Sequence, residues 1–253
     1  MKKKLSYEGY KLVWEEQFEG EQLNPEDWNV ELHEAGWVNS EWQEYIDSPE
    51  TIYLKDGKLC IRAIKTVDEN GKASYVSGRV ATQHKHDFTY GIFEARLKVP
   101  KGQGFLPAFW LMTTDEETYG EWPRRGEINI MEVLGQDTAT NYGTIHYGIP
   151  HEQSQEKITL EQGSFADEFH TFQFEWEAGK LSWYVDGELF YTVSDWYCAR
   201  EEEGEIPFPA PFNHPFYIIL NLAVGGSWVG YPDETTDFEN AVYEIDYVKV
   251  YQK

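Results

Sequence analysis

Two glutamates five residues apart are the side chains of this sequence best placed to do chemistry together. Glu127 and Glu132 lie in the segment WPRRGEINIMEVLG, residues 122–135, where Asn129 is the third polar side chain of an otherwise apolar strand. Two carboxyl groups can divide acid–base and nucleophilic work when their surroundings separate their pKa values. Residues 127 and 129 share one face of a regular strand, but residue 132 would point to the other face.

A β-bulge near Ile130 or Met131 would return Glu132 to the face of Glu127, and bulges are frequent next to active sites. At about 3.3 Å per residue the two glutamate Cα atoms would then lie roughly 13 Å apart. Their side chains would have to lean together to reach the separation of about 5–5.5 Å that retaining glycosidases use. The alternative is a surface strand with two solvated glutamates, which the apolar neighbours disfavour.

Alternating apolar residues predict the strands that must position this segment. Over Ile92–Val99 the odd positions are apolar and the even positions after Ile92 are charged, which predicts one buried and one solvated face. The same alternation over Phe172–Trp176 and Leu181–Val185, with a turn at Ala178–Lys180, predicts a hairpin. The dipeptide Asp186-Gly187 predicts the next turn.

The C-terminal part of the chain adds a central strand and a closing strand. Pro215–Val224 is apolar without alternation, which predicts a strand covered on both faces, and Tyr243–Tyr251 predicts the last strand. Ser194–Asn213 is rich in Glu and Pro and is interpreted as a long, solvated surface loop. Without a linker or a repeat, residues 1–253 are predicted to form a single all-β domain, a sandwich of two antiparallel sheets.

Charge and cysteine content exclude several classes of function. The chain has 21 Lys and Arg against 45 Asp and Glu, a net charge of −24, which disfavours nucleic acid, anionic membranes and sulfated polymers. Cys60 and Cys198 are too few for a disulfide framework and lack metal-site spacing. The N-terminus has no apolar signal core, so we expect either a secreted protein whose signal peptide is absent from this sequence or a cytoplasmic one.

Aromatic residues make up 16% of the chain, including ten tryptophans, more than a core of this size requires. Flat apolar rings beside polar groups suit the faces of pyranose sugars, although large aromatics also fill β-sheet cores. Composition therefore favours a neutral ligand.

The strand motif resembles that of the laminarinase-like members of glycoside hydrolase family 16. The family pattern is Glu, apolar, Asp, apolar, apolar, Glu, and residues 127–132 match it except at Asn129. Further similar segments extend over nearly the whole chain: LVWEEQF from Leu12, NSEWQ from Asn39, SGR from Ser77, YGIFEARLKVP from Tyr90, PAFW from Pro107, FYIILNLAVGG from Phe216 and IDYVKVYQ from Ile245.

The resemblance implies a β-jelly-roll sandwich with an open substrate cleft and retaining endo-hydrolysis of β-glucans without a catalytic cofactor. Glu127 matches the nucleophile that attacks the anomeric carbon. Glu132 matches the acid/base that protonates the leaving oxygen and then activates water. The additional Met131 resembles the bulged motif of laminarinases, which favours β-1,3-linkages and leaves mixed β-1,3-1,4-glucan as the alternative.

The resemblance also assigns residues around this pair. It implies that Trp110 and Trp122 are sugar platforms, that Asn39 and Arg79 are hydroxyl donors, and that Trp228 adds a subsite. His146, in the segment GTIHY, matches a family histidine beside the acid/base; without the resemblance its residue type favours a structural histidine. Leu106 stands where many relatives have tryptophan, so one stacking surface is missing.

Asn129 is the departure that matters most for chemistry. A third carboxylate would raise the pKa values of its neighbours, whereas an amide removes that repulsion and can donate a hydrogen bond to ionised Glu127. We therefore expect both glutamates to be stronger acids than with aspartate at position 129, Glu132 to hold its proton less well near neutral pH, and the enzyme to be slower with a more acidic optimum.

The resemblance further implies a structural Ca²⁺ held by Asp246, the backbone of Gly57 and the segment near Glu16. Gln17 stands there in place of a frequent acidic residue, and nothing in the residues themselves identifies a calcium loop.

Other functions stay open at this point. Asn129 is compatible with a non-hydrolytic β-glucan-binding protein, although such proteins tend to lose the glutamates that this chain retains. A hydrolase of sulfated galactans fits the fold but not the charge. A structural interaction protein lacks support, because the chain has neither coiled-coil heptads nor a long disordered tail. The expected partner is a neutral β-glucan bound by a monomer.

Overall fold

The fold is built from β-strands. The structure, a computed structural model, describes residues 3–199 and 204–253, and no helix occurs in these ranges. None of the elements described could therefore serve as a membrane-spanning helix. The strands are β1 (Lys11–Glu16), β2 (Asn29–Val30), β3 (Gln43–Tyr45), β4 (Ile52–Leu54), β5 (Leu59–Arg62), β6 (Ile64–Val67), β7 (Ala73–Ser77), β8 (Arg79–Ala81), β9 (Asp87–Phe88), β10 (Gly91–Lys98), β11 (Phe105–Thr113), β12 (Glu127–Val133), β13 (Thr140–Tyr147), β14 (Glu152–Thr159), β15 (His170–Glu177), β16 (Lys180–Val185), β17 (Glu188–Val193), β18 (Phe216–Val224) and β19 (Val242–Gln252).

Two large antiparallel sheets form the sandwich. The outer sheet has the order β17-β16-β15-β10-β19-β5-β4, with β1 also paired to β19. The second sheet, here called the cleft sheet, has the order β14-β13-β12-β11-β18-β8-β2, with β9 also paired to β18. A small sheet, β3-β7-β6, contains a parallel pair between β3 and β7. The predicted two-sheet, antiparallel all-β architecture is confirmed.

The hydrophobic core lies between the two large sheets and is rich in aromatic rings. Trp176 of β15 meets Phe216 of β18 edge to face, with ring centroids 5.3 Å apart. Both rings are fully buried. Burial of each such side chain contributes roughly 1.5–3 kcal/mol, and the edge-to-face geometry suits the quadrupoles of the rings.

The predicted hairpins and the central strand are confirmed. Strands β15 and β16 form the hairpin that turns at Ala178-Gly179, and β17 follows the turn at Asp186-Gly187. Every residue of β18 is buried, as expected for a strand covered on both faces. Strand β19 closes the chain in the middle of the outer sheet.

The alternation predicted for β10 is wrong at Glu94, which is buried rather than solvated. The N-terminal segment crosses the outer face at this point, and the Tyr7 hydroxyl donates a hydrogen bond to the Glu94 carboxylate. Gln173 Nε2 and the Tyr247 hydroxyl donate two more, at 3.1 and 3.0 Å. The N-terminal segment covers this face of β10, and the alternation within β10 cannot predict a contact with so distant a segment.

The prediction of a solvated loop over Ser194–Asn213 is wrong for much of the described part. Trp196, Cys198 and Phe212 are buried. The indole of Trp196 donates to the carbonyl of Pro209 at 2.9 Å, so the two ends of the loop are bonded to each other. The loop is rich in Glu and Pro, yet a few apolar side chains anchor it to the core. Residues 200–203 lie outside the described part.

A β-bulge in β12 decides where the polar side chains point. On the β11 side, Phe109 pairs with Met131 but the next residue, Trp110, pairs with Asn129, so Ile130 is additional. The register with β13 shifts at the same place, between Asn129 and Glu132. Ile130 and Met131 are both buried. The predicted bulge is confirmed at the predicted residues.

Two hydrogen bonds and one glycine support the bulge. The buried indole of Trp183 donates to the carbonyl of Asn129 at 2.9 Å, and the backbone N–H of Glu132 donates to Asn141 Oδ1 at 3.1 Å. On β13, a Cβ atom at Gly143 would lie 2.8 Å from Trp183 Cδ1, so a larger residue would displace the indole. A side chain of the outer sheet, Trp183, therefore stabilises the bulge through the interior of the sandwich.

Replacing Trp183 by Phe should destabilise the protein, because the buried carbonyl of Asn129 would lose its N–H donor. We expect the free energy of unfolding, measured by urea titration, to fall by at least about 1–3 kcal/mol. The matched control is Trp228→Phe at a half-exposed indole, where a change within about 0.5 kcal/mol is expected. Equal effects of the two substitutions would contradict the role given to Trp183.

Candidate active site

A cavity of about 670 Å³ lies on the cleft sheet, and Glu127, Asn129 and Glu132 all line it. The bulge thus brings the three predicted side chains to one face. Leu106 also lines the cavity, in the place where the family resemblance would put a tryptophan. A larger cavity, about 860 Å³, is lined by neither glutamate and by a single aromatic ring, Tyr53. The chemistry predicted from the sequence therefore belongs to the cleft-sheet cavity.

Both carboxylate oxygens of Glu127 accept hydrogen bonds from uncharged donors. Trp122 Nε1–H donates to Oε2 at 2.8 Å, and Asn129 Nδ2–H donates to Oε1 at 3.0 Å. The Nε2 atom of His146 lies 4.0 Å from Oε1. These contacts fix the orientation of the carboxylate.

Glu132 has a different environment from Glu127. Burial, followed by the negative charge of Glu127, raises its pKa to about 8, and the Thr144 hydroxyl is a distant donor at 3.5 Å. Glu132 is therefore protonated at neutral pH. The expectation that Glu132 holds its proton less well than it would with aspartate at position 129 stays a prediction, and the burial that raises its pKa is not visible in the sequence.

His146 lies on β13 beside Glu127 and contacts a second histidine. Its Nδ1 atom is 3.1 Å from Nε2 of His151, which lies in the turn between β13 and β14. Burial lowers the pKa of His146, His151 lowers it further and Glu127 acts in the opposite direction. The rings of Trp122 and His151 have centroids 5.0 Å apart.

Arg79 and Trp110 also line the cavity, and Trp110 pairs with Asn129 across β11 and β12. The guanidinium of Arg79 lies between two indoles, 4.9 Å from the ring of Trp110 and 5.3 Å from that of Trp37, and is ion-paired with Glu31. Trp110 Nε1–H donates to Asn221 Oδ1 at 2.7 Å. Arg79 is thus fixed in place by two rings and a carboxylate, and its charge is neutralised.

Of the other predicted binding residues, two line the cavity and one lies outside it. Trp122 is half-exposed and lines the cavity, and Asn39 lines it while donating to Glu41 Oε1 at 3.3 Å. Trp228 is half-exposed but is not among the lining residues; it packs edge to face on Tyr142, with centroids 5.2 Å apart. Because Tyr142 pairs with Glu132, Trp228 lies beyond the Glu132 end of the cavity.

Sequence reasoning missed several residues of the site. Trp37 and Glu41 flank Asn39 in one segment, and their proximity in sequence was the available signal. Glu31 could not be found this way, because only the tertiary fold brings it to Arg79. His151 lies five residues after His146 in the turn that joins β13 to β14, and no motif pointed to it.

Two of the three positions proposed for a metal have other partners. The carboxylate of Asp246 is ion-paired with Arg96 at 2.7 Å. The carboxylate of Glu16 accepts hydrogen bonds from the backbone N–H of Phe18 at 2.6 Å and from Trp28 Nε1–H at 3.2 Å. Gly57 lies in the turn between β4 and β5. Within the described ranges, no group of three or more His, Cys, Asp or Glu side chains could hold a metal ion.

Comparison with known proteins gives one family and a set of glucanases. The model of the family described as "Glycosyl hydrolases family 16" matches residues 37–249. The chain is 36% identical to glucan endo-1,3-beta-glucosidase A1 of Niallia circulans over 97% of this chain, but it spans only 38% of that protein. It is also 36% identical to the glucan endo-1,3-beta-glucosidase of Cryptopygus antarcticus, covering 94% of this chain and 90% of that protein.

A solved structure agrees in fold as well as in sequence. The catalytic domain of an endo-1,3-beta-glucanase (laminarinase) from Thermotoga petrophila RKU-1 superposes with a TM-score of 0.81 at 38% identity. The match covers 96% of this chain and 98% of that one. The predicted jelly-roll sandwich is thereby confirmed.

Replacing Glu132 by Gln should change how stability depends on pH. The folded-state pKa of Glu132 is about 8, above the usual value of 4.5, so the wild type loses stability as the pH rises from about 4.5 to about 8. Glutamine does not titrate. We expect the unfolding free energy of Glu132→Gln, relative to wild type, to rise between pH 5 and pH 8 in urea titrations. A difference independent of pH would contradict the buried, protonated state.

Proposed function

This chain belongs to glycosyl hydrolase family 16, and we propose that it is an endo-acting hydrolase of neutral β-glucans, with β-1,3-glucan of the laminarin type as its main substrate. One observation carries the proposal: Glu127, held by neutral donors, and Glu132, with a pKa of about 8, share one cavity floor. The endo-1,3-beta-glucosidases and the laminarinase among its relatives support the linkage.

In the proposed mechanism, the ionised carboxylate of Glu127 attacks the anomeric carbon while the carboxylic acid of Glu132 gives its proton to the leaving oxygen. The glycosyl–enzyme ester is then hydrolysed by water, whose proton passes to the Glu132 carboxylate. Two displacements at one carbon retain its configuration. The different environments supply the protonation states required, because a raised pKa keeps Glu132 protonated at the start.

Asn129 holds the nucleophile without adding charge. Its amide donates to Glu127 Oε1 at 3.0 Å, while Trp122 donates to Oε2. Each of these hydrogen bonds orients the Glu127 carboxylate toward the cavity. The attenuation by Asn129 stays a prediction from the sequence.

The aromatic and polar wall of the cavity accounts for binding of a neutral sugar. The half-exposed ring of Trp122 adjoins the nucleophile and can stack on a pyranose face. Asn39 and Arg79 provide N–H donors on the opposite side. With a net charge of −24, the chain disfavours sulfated polysaccharides.

A structural calcium ion is not part of this proposal. Arg96 pairs with Asp246, and the carboxylate of Glu16 is bonded to a backbone N–H and an indole, so two of the three predicted ligand positions have other partners. The proposed chemistry needs only side chains of this chain. Monomeric state and secretion stay predictions from the sequence.

Replacing Glu127 by Ala should abolish hydrolysis, because the carboxylate that attacks the sugar would be lost. We expect release of reducing ends from laminarin to fall by roughly 10³-fold or more. Barley mixed-linkage glucan in the same assay tests the linkage, and wild-type activity confined to it would make the chain a β-1,3-1,4-glucanase. Tight laminarin binding without cleavage by the wild type would instead indicate a glucan-binding protein.

Replacing Asn129 by Asp should speed the reaction and move its optimum to higher pH. The new carboxylate removes a donor from Glu127 and repels both glutamates, which raises their pKa values and makes Glu127 the better nucleophile. The measurement is the pH profile of kcat/KM on laminarin.

The matched control is Asn70→Asp, the same change in an exposed turn, which should leave the profile in place. A rate and profile unchanged in Asn129→Asp would show that the amide does not attenuate the enzyme.

A further inference from the structure

A histidine that no motif accounts for lies in contact with His146. Nδ1 of His146 and Nε2 of His151 are 3.1 Å apart. At this distance one hydrogen atom must lie between them, because two bare nitrogens or two N–H groups would repel each other. One ring donates and the other accepts.

The charge of Glu127 determines which ring donates. The other nitrogen of His146, Nε2, lies 4.0 Å from Glu127 Oε1. If His146 donated from Nδ1 as a neutral ring, the lone pair on its Nε2 would face the carboxylate. If His151 donates, His146 carries its proton on Nε2, and an N–H faces the carboxylate instead. An ionised Glu127 favours the second arrangement.

We propose that His151 is a positioning residue whose Nε2–H donates to His146 Nδ1 and holds His146 as the neutral Nε2–H tautomer beside Glu127. The nitrogen at which His146 would take up a second proton is then already occupied. His151 thereby keeps His146 uncharged in mildly acidic solution. The kinetic consequence rests on the proposed function, but the tautomer and the protonation state do not.

The groups around His146 agree with this assignment. Glu127 on β12 is the acidic group in closest contact, and Glu132 lies further along the same face. On β14 the residue paired with His146 is the uncharged Gln153, and Glu152 pairs with Tyr147. The attraction of Glu127 for an imidazolium is thus opposed by the burial of His146 and by His151.

The consequence for chemistry lies in the charge next to the nucleophile. Trp122 and Asn129 already give Glu127 two uncharged donors, and His146 adds an uncharged N–H at longer range. An imidazolium in that place would stabilise the Glu127 anion far more strongly and make it a weaker nucleophile. We therefore infer that His151 extends activity toward acidic pH.

Two substitutions at His151 separate its hydrogen bond from its bulk. His151→Phe keeps a ring against Trp122 but has no donor, whereas His151→Gln provides an amide N–H near the former Nε2 position. Because His151 is exposed, both variants should fold, and dispersed amide signals would verify this. If His151→Phe does not fold, His151→Ala replaces it, because alanine also lacks the donor and the same changes are expected.

The direct readout is side-chain ¹⁵N NMR of the histidines in the intact chain without substrate. We expect the Nε2–H tautomer at His146 in wild type and in His151→Gln, with the pKa of His146 below its ordinary value in both proteins. In His151→Phe the pKa of His146 should rise, so that the ring titrates within the accessible range. An Nδ1–H tautomer in wild type, or identical titrations in all three proteins, would overturn the proposal.

The kinetic readout is kcat/KM on laminarin at pH 5 and pH 7. The ratio of the two values should fall roughly tenfold in His151→Phe, as expected for about one unit of displacement in a controlling ionisation, and should recover in His151→Gln. A ratio unchanged in His151→Phe, despite an altered titration of His146, would refute the link to catalysis. A wild type inactive on every β-glucan would refute the proposed function, while NMR would still decide the tautomer.

Discussion

One additional residue in β12 is the constraint on which the site depends. A regular strand would direct Glu132 away from Glu127, into the apolar layer between the sheets, where an unpaired carboxylate is strongly disfavoured. The bulge at Ile130 and Met131 removes that conflict by burying two successive apolar side chains. The indole of Trp183, from the outer sheet, binds the carbonyl at the start of the bulge. The alignment of the glutamates is therefore a property of the whole sandwich.

The two carboxyl groups share a face but not an environment. Glu127 accepts N–H hydrogen bonds from Trp122 and Asn129 on its two oxygens. Glu132 is half-buried, and its removal from water together with the negative charge of Glu127 raises its pKa to about 8. Two residues of one type thus acquire opposite roles from their surroundings, which is the division of work that glycoside hydrolysis requires. The neutral residue at position 129 acts on this division directly, because it adds a donor to Glu127 where a carboxylate would add repulsion.

Much of the fold could be predicted because its determinants are local. Alternation predicted the hairpins, the unbroken apolar run predicted β18, and Glu132, out of phase with Glu127 and Asn129, predicted the bulge. What could not be predicted depends on contacts between distant segments. Glu94 is buried by Tyr7 and its neighbours, and the loop at Ser194–Asn213 is anchored by a few buried apolar side chains that stand among many Glu and Pro residues. At the site, the protonation of Glu132 follows from burial, which the residue types alone do not show.

The stereochemistry of the first product tests the central claim most directly, because it reports whether two carboxyl groups on one face act as nucleophile and acid/base. ¹H NMR during the first minutes of laminarin hydrolysis, before mutarotation, distinguishes the two anomers of the new reducing end. The account predicts that the β anomer appears first, as retention through an ester at Glu127 requires. Initial formation of the α anomer would mean a single displacement by water and would contradict the pairing of Glu127 with Glu132 proposed for this cleft.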